Sequence, residues 1–340
     1  MADPQTELRK RLNELVKVYG DDRKTEIIQI ADQTSEEKEI EFVEPEKCVV
    51  VMTEGGSIKR IPITSFRTQK RNGKGVKTQD DITAATIRTN TIDSLMIFTN
   101  KGKMYRLLVN DIPEGNNTAK GVPVNSLVEM EIGEHPTTIY SIYRDTDAKY
   151  VIFVTKNGLV KKTMLDEYVK TKKKNGIMAI TIRENDELAS VFLIKDEDII
   201  ITTELGQTIR FNSEEVGATS RATSGVKGIT LKENDAVCIA IPVHSKNDNL
   251  AVFLNNGIGK KINLNDIPVQ KRAGKGLMVA KITDEKTWVA ATALVSDEDN
   301  VLIIGSTNSA CISAQDIPLL SRTSIGNQMI KNNIISISKI

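Results

Sequence analysis

Between Val49 and Ile340 the chain repeats itself six times, and the repeat restricts the fold before any single residue is considered. Each unit opens with four mostly apolar or β-branched residues: Val49–Met52, Leu95–Phe98, Val151–Val154, Ile199–Thr202, Ala251–Leu254 and Val301–Ile304. A tight turn follows, marked by Gly56, Gly102, Gly158, Gly206 and Gly257, with Ser309 in the sixth unit. A second strand leaves that turn and enters a polar segment such as Asn110-Asp111-Ile112-Pro113, Asn265-Asp266-Ile267-Pro268 or Gln315-Asp316-Ile317-Pro318. A second glycine closes each unit: Gly75, Gly121, Gly176, Gly228, Gly276 and Gly326, at intervals of 46, 55, 52, 48 and 50 residues. A further strand then runs on, as in Ile180-Thr181-Ile182. Such short, β-branched, turn-rich units exclude a helical solenoid. One sheet of three or four short strands cannot bury both its faces alone, so six sheets in a ring is the economical packing. The pattern predicts an all-β, six-bladed, propeller-like disc. Aromatic content of 4% and the lack of a Gly-His…Trp-Asp signature argue against a WD40 propeller.

Upstream of the repeat, Leu8, Leu12, Leu15 and Val16 recur at helical spacing, with Gly20 as the stop. The acidic stretch Asp32–Glu41 reads as a linker. Two regions are therefore expected: an N-terminal helix and linker over residues 1–41, and the bladed domain over residues 42–340. Charge divides the same way. The chain is nearly neutral at +1, but residues 1–41 carry −4 and the remainder +5. Cys48, Cys238 and Cys311 are far apart among β-branched residues, which predicts buried strand cysteines in a reducing compartment. With no long apolar run and no secretory leader, a soluble cytoplasmic protein without membrane contact is expected.

The cations are not scattered. Gln69-Lys70-Arg71-Asn72-Gly73-Lys74-Gly75 holds three cations and two glycines, and Arg67 and Lys77 flank it with no acid between. Gln270-Lys271-Arg272-Ala273-Gly274-Lys275-Gly276 is a near copy at the same phase of the repeat. Glycines let a backbone come close to a partner, and amides among cations suit a row of phosphates. Four places after the turn glycine stand Arg60, Arg106, Lys162, Arg210 and Lys261, and three places after it Lys59, Lys161 and Lys260. This predicts positive charge at regular intervals around a rim. Lys120, Lys172, Lys173, Lys174, Arg221 and Lys227 add to the band.

Catalytic signatures are lacking in the sequence. There is no phosphate-binding G-x-x-x-x-G-K-[ST] loop and no G-x-S-x-G elbow. His135 and His244 have no companions at metal-ligand spacing, and the six tyrosines read as packing residues. No metal site, no cofactor and no catalytic residue is expected in this chain.

The sixfold repeat together with Gln69–Gly75 resembles the C-terminal domain of bacterial DNA gyrase A, whose box runs Gln-Arg-Arg-Gly-Gly-Arg/Lys-Gly. Gln69, Arg71, Gly73, Lys74 and Gly75 match it, Lys70 is a conservative change, and Asn72 departs from the usual glycine. The resemblance implies a six-bladed β-pinwheel that exchanges strands between blades and wraps double-stranded DNA around a basic rim with a positive hand. It implies a role in negative supercoiling by a type IIA topoisomerase, with the cleavage core of gyrase A and with gyrase B as partners at the nucleoid. ATP and magnesium would then belong to the complete enzyme and not to this chain. Residues Gly20–Ile27 resemble the handover from the cleavage core. The equivalent domain of topoisomerase IV, which guides DNA without a full wrap, is the nearest alternative. A protein-binding propeller is a further one, and it would show apolar rim patches where this sequence places cations.

Overall fold

The computed structural model describes residues 4–20, 44–53, 55–63, 83–116, 119–142, 147–169, 176–245, 247–282, 284–305, 309–331 and 333–339. The box Gln69–Gly75 with Arg67 and Lys77, the triplet Lys172, Lys173 and Lys174, and the expected linker lie outside the described residues. The chain divides into two compact units, Met1–Phe42 and Val43–Ile340.

In the first unit, α1 (Pro4–Tyr19) is the helix that the leucine spacing predicts, and Gly20 N–H donates to the Val16 carbonyl at 2.9 Å where it ends. Leu8, Leu12, Leu15, Val16 and Tyr19 are exposed on it.

The second unit is a ring of six small antiparallel sheets, a six-bladed propeller. The first blade is built on β1 (Lys47–Thr53), β2 (Ser57–Pro62) and β3 (Thr83–Asn90). The second unit of the repeat supplies β4 (Ser94–Thr99), β5 (Lys103–Leu108), β6 (Val122–Pro123) and β7 (Pro136–Ile142). The third supplies β8 (Tyr150–Thr155), β9 (Leu159–Met164), the short helix α2 (Asp166–Val169), β10 (Ile177–Met178) and β11 (Leu188–Ile194). The fourth gives β12 (Asp198–Thr203), β13 (Gln207–Asn212), β14 (Val226–Lys227) and β15 (Val237–Val243). The fifth gives β16 (Asn249–Leu254), β17 (Ile258–Asn263), β18 (Leu277–Met278) and β19 (Val289–Val295). The last gives β20 (Asn300–Gly305), β21 (Ser309–Ser313), β22 (Asn327–Gln328) and β23 (Ile334–Lys339).

The strand order within a sheet explains how the ring holds together. The first sheet runs β3-β1-β2-β6, and the next four follow suit with β7-β4-β5-β10, β11-β8-β9-β14, β15-β12-β13-β18 and β19-β16-β17-β22. The strands β3, β7, β11, β15, β19 and β23 pack against one another in succession, so they form the inner ends of the blades. The outermost strand of each of these five sheets is therefore donated by the following unit. This strand exchange defines a pinwheel. The sixth sheet shows three strands, β23-β20-β21.

The apolar opening runs are the first strands, and their uniform burial has a simple cause. Side chains alternate across a strand, and both faces of the second to fifth blades meet another blade. On β4, Leu95 and Ile97 pack with Val50 and Met52 of the first blade, while Met96 and Phe98 pack with Val151 and Phe153 of the third. The Phe98 and Phe153 rings meet edge to face at 5.4 Å, with Tyr168 of α2 completing the cluster. Thr53, Thr99, Thr155 and Thr203 end four of these strands, and each hydroxyl accepts a backbone N–H four residues on across the turn. The turn itself needs a left-handed residue, which Gly158 supplies at φ 80°.

Two expectations are corrected. In the fourth unit the closing glycine is Gly225, not Gly228. Gly225 sits at φ 81°, and a Cβ there would lie 2.6 Å from the Val160 carbonyl, while Gly276, one unit later, presents the same geometry against Thr208 O. Gly228 follows β14 and does not precede it. Among the cysteines, Cys48 is buried and Cys238 half-buried, but Cys311 is exposed.

Candidate nucleic-acid interface

Each unit from the second to the sixth carries its chain from the second strand of one blade to the outer edge of the preceding blade. It does so through a crossover. A single 3₁₀ turn follows the second strand, as at Ser213–Glu215, Leu264–Asp266 and Ala314–Asp316, and its first backbone amides are capped by Asn212, Asn263 and Ser313. The isoleucine of the polar segment, Ile112, Ile267 or Ile317, is buried and anchors the turn. The chain then touches the second strand of the preceding blade through one parallel bridge. These bridges pair Arg60 with Glu114, Lys162 with Ala218, Arg210 with Val269 and Lys261 with Leu319.

The cations four places after the turn glycine therefore lie where the crossover docks. This corrects the expectation of an open rim band. Lys162, Arg210 and Lys261 are buried, and Arg60 and Arg106 are half-buried. All have internal partners. Arg210 reaches Asp198 at 2.8 Å, Lys261 reaches Asp297 at 2.7 Å, and Arg60 lies 3.7 Å from Glu114. Arg106 donates to the Val169 carbonyl at 2.6 Å and to Ser94 Oγ at 3.0 Å. Lys162 donates to the Ser213 carbonyl at 2.7 Å and stands 4.9 Å over the Tyr150 ring, and burial lowers its pKa. The positive sign is kept because the docking crossover brings Glu114 and the carbonyls of Val169 and Ser213 to this place, and the blade's own strands bring Asp198 and Asp297. Nothing in the linear order shows those partners, which lie 12 to 63 residues away.

Of the cations singled out in the sequence, the exposed ones stand on the crossover loops, while others such as Lys47, Lys101, Lys156 and Lys195 are exposed elsewhere. Lys120, Lys227, Lys271 and Lys275 are exposed and Arg221 is partly so, with Glu167 at 3.7 Å. Each lies in or beside an outermost strand or the loop entering one. Loop Gln270–Gly276 shows how these segments are held. Gln270 N–H donates to the Arg210 carbonyl at 2.7 Å, and Ala273 N–H donates to the Gly228 carbonyl at 2.8 Å. Thr230 returns two bonds, from its N–H to Gly274 O and from its hydroxyl to Ala273 O. Ala273 and Gly276 take positive φ, and a Cβ on Gly274 would sit 3.3 Å from Ile209 Cδ1. Arg272 is not a free rim cation. Its amide donates to Glu215 Oε2, and its guanidinium donates to the carbonyls of Glu215 and Lys227. It straps two successive outer edges, as Arg322 does one unit later through the Met278 carbonyl at 3.5 Å. Lys271 and Lys275 are left facing solvent on either side of that strap.

The result, among the described residues, is an outer edge with lysines on backbone-bonded loops. Among the described residues no cluster of His, Cys, Asp and Glu could hold a metal ion, and no helix is long and apolar enough to cross a membrane.

A sequence model described as the DNA gyrase C-terminal domain, beta-propeller, matches residues 49–84, 93–129, 149–195, 197–243 and 248–287. The chain belongs to this family of strand-exchanged DNA gyrase propellers. DNA gyrase A of Lawsonia intracellularis is 33% identical over 333 residues, which is 95% of this chain and 40% of that protein. DNA gyrase A of Staphylococcus aureus strain COL is 33% identical over 322 residues, 93% of this chain and 36% of that protein. The chain thus spans about two fifths of the length of these relatives. Among solved structures, the C-terminal domain of DNA topoisomerase IV superimposes with a TM-score of 0.73 at 25% identity, covering 88% of this chain and 94% of that one. The C-terminal domain of DNA gyrase A superimposes at 0.71 and 26%, covering 86% and 99%.

Proposed function

We propose that the propeller binds duplex DNA without reading its sequence, bends it around the outer edge of the blades and wraps it with a fixed hand. As part of a type IIA topoisomerase it would present that DNA for the introduction of negative supercoils. The observation that carries this reading is the placement of Lys120, Arg221, Lys227, Lys271 and Lys275 on the crossover loops of the second, fourth and fifth units. Distributed cations neutralise phosphates and release counterions whatever the sequence. They also offset bending, which costs on the order of 1–6 kcal/mol for 40–90° over 20–30 base pairs. In this reading Gln69, Lys70, Arg71, Gly73, Lys74 and Gly75, with Arg67 and Lys77, extend the same edge, as do Lys172, Lys173 and Lys174. Residues 1–41 join the propeller to the cleavage core of gyrase A. The strand-passage machinery, with its ATP, magnesium and gyrase B, lies outside this chain, and the complex works in the cytoplasm at the nucleoid.

The likeness to the topoisomerase IV domain keeps a second reading in view, in which DNA is guided along the edge without a chiral wrap. The two differ in topology. The propeller is incubated with relaxed closed-circular DNA, a nicking-closing enzyme is added, and the linking number is read after protein removal. A dose-dependent gain of positive supercoils is expected. Binding without a linking change would support the guiding role, and no binding at low salt would overturn both.

A further inference from the structure

Three lysines close to the crossover loops are turned away from solvent. Lys161 and Lys260 are 1% and 2% exposed, and Lys59 is half-buried. All three lie three places after the turn glycine, in the first, third and fifth units. Lys260 Nζ donates to three carbonyls of one loop, Ser321 at 3.1 Å, Arg322 at 2.6 Å and Ser324 at 2.6 Å. An ammonium has three donors, and here three carbonyls of a single loop meet them. Lys161 Nζ donates to the Ala179 carbonyl at 2.6 Å and to the Arg221 carbonyl, and stands 5.5 Å over the Phe153 ring. Lys59 Nζ donates to the carbonyls of Ala119 at 2.9 Å and Asn116 at 3.3 Å.

In the sixth unit Ser309 lies on β21 and not in the turn, and Ala310, opposite Ile303 as Lys260 is opposite Val252, takes this place. The second and fourth units carry Tyr105 and Ile209. There the loop comes close through glycine. A Cβ on Gly176 would lie 2.7 Å from the Tyr105 ring, and one on Gly274 would lie 3.3 Å from Ile209. The first five blades thus alternate two devices for seating a crossover loop, an apolar plug under a glycine and an ammonium under inward-turned carbonyls. Packing alone would not select the second. Burying a lysine costs several kcal/mol, and an apolar side chain of like volume fills the space without that cost.

We infer that Lys59, Lys161 and Lys260 are positioning residues for DNA binding: Lys59 and Lys161 fix the peptides that bear their loops' cations, Lys120 after Ala119 and Arg221, and Lys260 fixes the corresponding loop of the last unit, whose Arg322 straps the neighbouring outer edge. The inference rests on the DNA-binding reading above. It deepens that reading by making the shape of the edge depend on buried charge. Burial pushes Lys161 and Lys260 down to about 8. Around Lys161, Glu167 on α2 pulls the other way and Arg221 adds to the lowering, while the Tyr168 hydroxyl shares the Ala179 carbonyl at 2.9 Å. For Lys260 burial acts alone. A neutral amine has two donors and a lone pair, so deprotonation of Lys260 turns the lone pair toward one of its three carbonyls and releases one hydrogen bond.

The test uses Lys161→Met with Lys260→Met in the same chain. Hydrogen exchange of residues 217–225 and 318–326 is expected to quicken by about tenfold while the inner strands stay protected. DNA affinity at fixed salt should fall several-fold, with the slope of log K against log salt shallower by about one for every phosphate no longer neutralised. Native affinity should also step down as pH passes about 8, and the variant should lack that step. A variant that exchanges and binds like the native chain overturns the inference while DNA binding stands. A native chain that binds no DNA sinks the parent reading instead. If the variant does not fold, the native pH profile decides alone, and affinity unchanged up to pH 9 overturns the inference.

Discussion

Arg210 and Lys261 hold the same place in successive blades but stand in different surroundings. Arg210 meets Asp198, whose side chain is 16% exposed, through both Nε and Nη2, so the pair is a shielded, two-point contact. Lys261 meets Asp297, which is 64% exposed. Removing a partner from a buried charge leaves that charge uncompensated, at about 3–5 kcal/mol. Lys261 is itself 5% exposed, but its partner is already solvated, so that pair is screened and its loss costs less. Asp198→Ala is therefore expected to lower the urea midpoint well beyond Asp297→Ala. Equal shifts would show that Arg210 recovers water or another partner. At this scale the sequence disclosed the sign and spacing of the cations. It could not disclose that five of them are spent inside the blades, because Glu114 and Ser213 become neighbours only when a crossover docks, and Asp198 and Asp297 only when the strands of the blade pair.

The crossover is the element on which the ring depends. Its outermost strand is two residues long, so its attachment rests on few backbone bonds and on the glycine before it. At Gly225 a side chain would need positive φ and would meet the Val160 carbonyl. Left-handed backbone alone costs a non-glycine residue about 1–2 kcal/mol, and a β-branched residue suffers most. Gly225→Val is expected to detach β14 from β9, so that amides from 226 to 230 exchange quickly while β12 and β8 remain protected. Unchanged protection there would mean that the loop, not the glycine, sets the attachment. The repeat made these segments visible as units, but its phase in the fourth one pointed to Gly228. With Gly225 the neighbouring intervals become 49 and 51 residues, closer to regular than the 52 and 48 that Gly228 gives. Two glycines three apart satisfy the same pattern, and only the close approach to Val160 separates them.

For the whole molecule, the buried lysines make stability depend on pH in a direction opposite to that of a paired lysine. Their folded pKa of about 8 lies below the value of 10.5 in the unfolded chain. Between these values the unfolded state binds more protons, so stability rises with pH across that window and is lost again as pH falls through about 8. Thermal unfolding of the native chain is expected to shift upward between about pH 7.5 and 9.5. In the double methionine variant that part of the shift should vanish. A native midpoint that falls over this range would show that the cages favour the charged lysine more than burial opposes it. The same ring carries the opposing demand of DNA binding, which favours the charged state, so stability and binding should respond to alkali in opposite senses.

The repeat by itself determined a six-bladed β architecture, the first strands and their turns, because short apolar runs of β-branched residues broken by glycine at a fixed period permit little else. It also determined that cations recur at one phase. The tertiary structure decided which cations face water. Strand exchange brings each crossover across the second strand of the blade before it, and that docking buries Lys162, Arg210 and Lys261 while leaving Lys120, Lys227, Lys271 and Lys275 on the edge. Burial is a property of where two distant segments meet, and a lysine carries no mark in the sequence of whether its neighbour will be a carbonyl or the solvent.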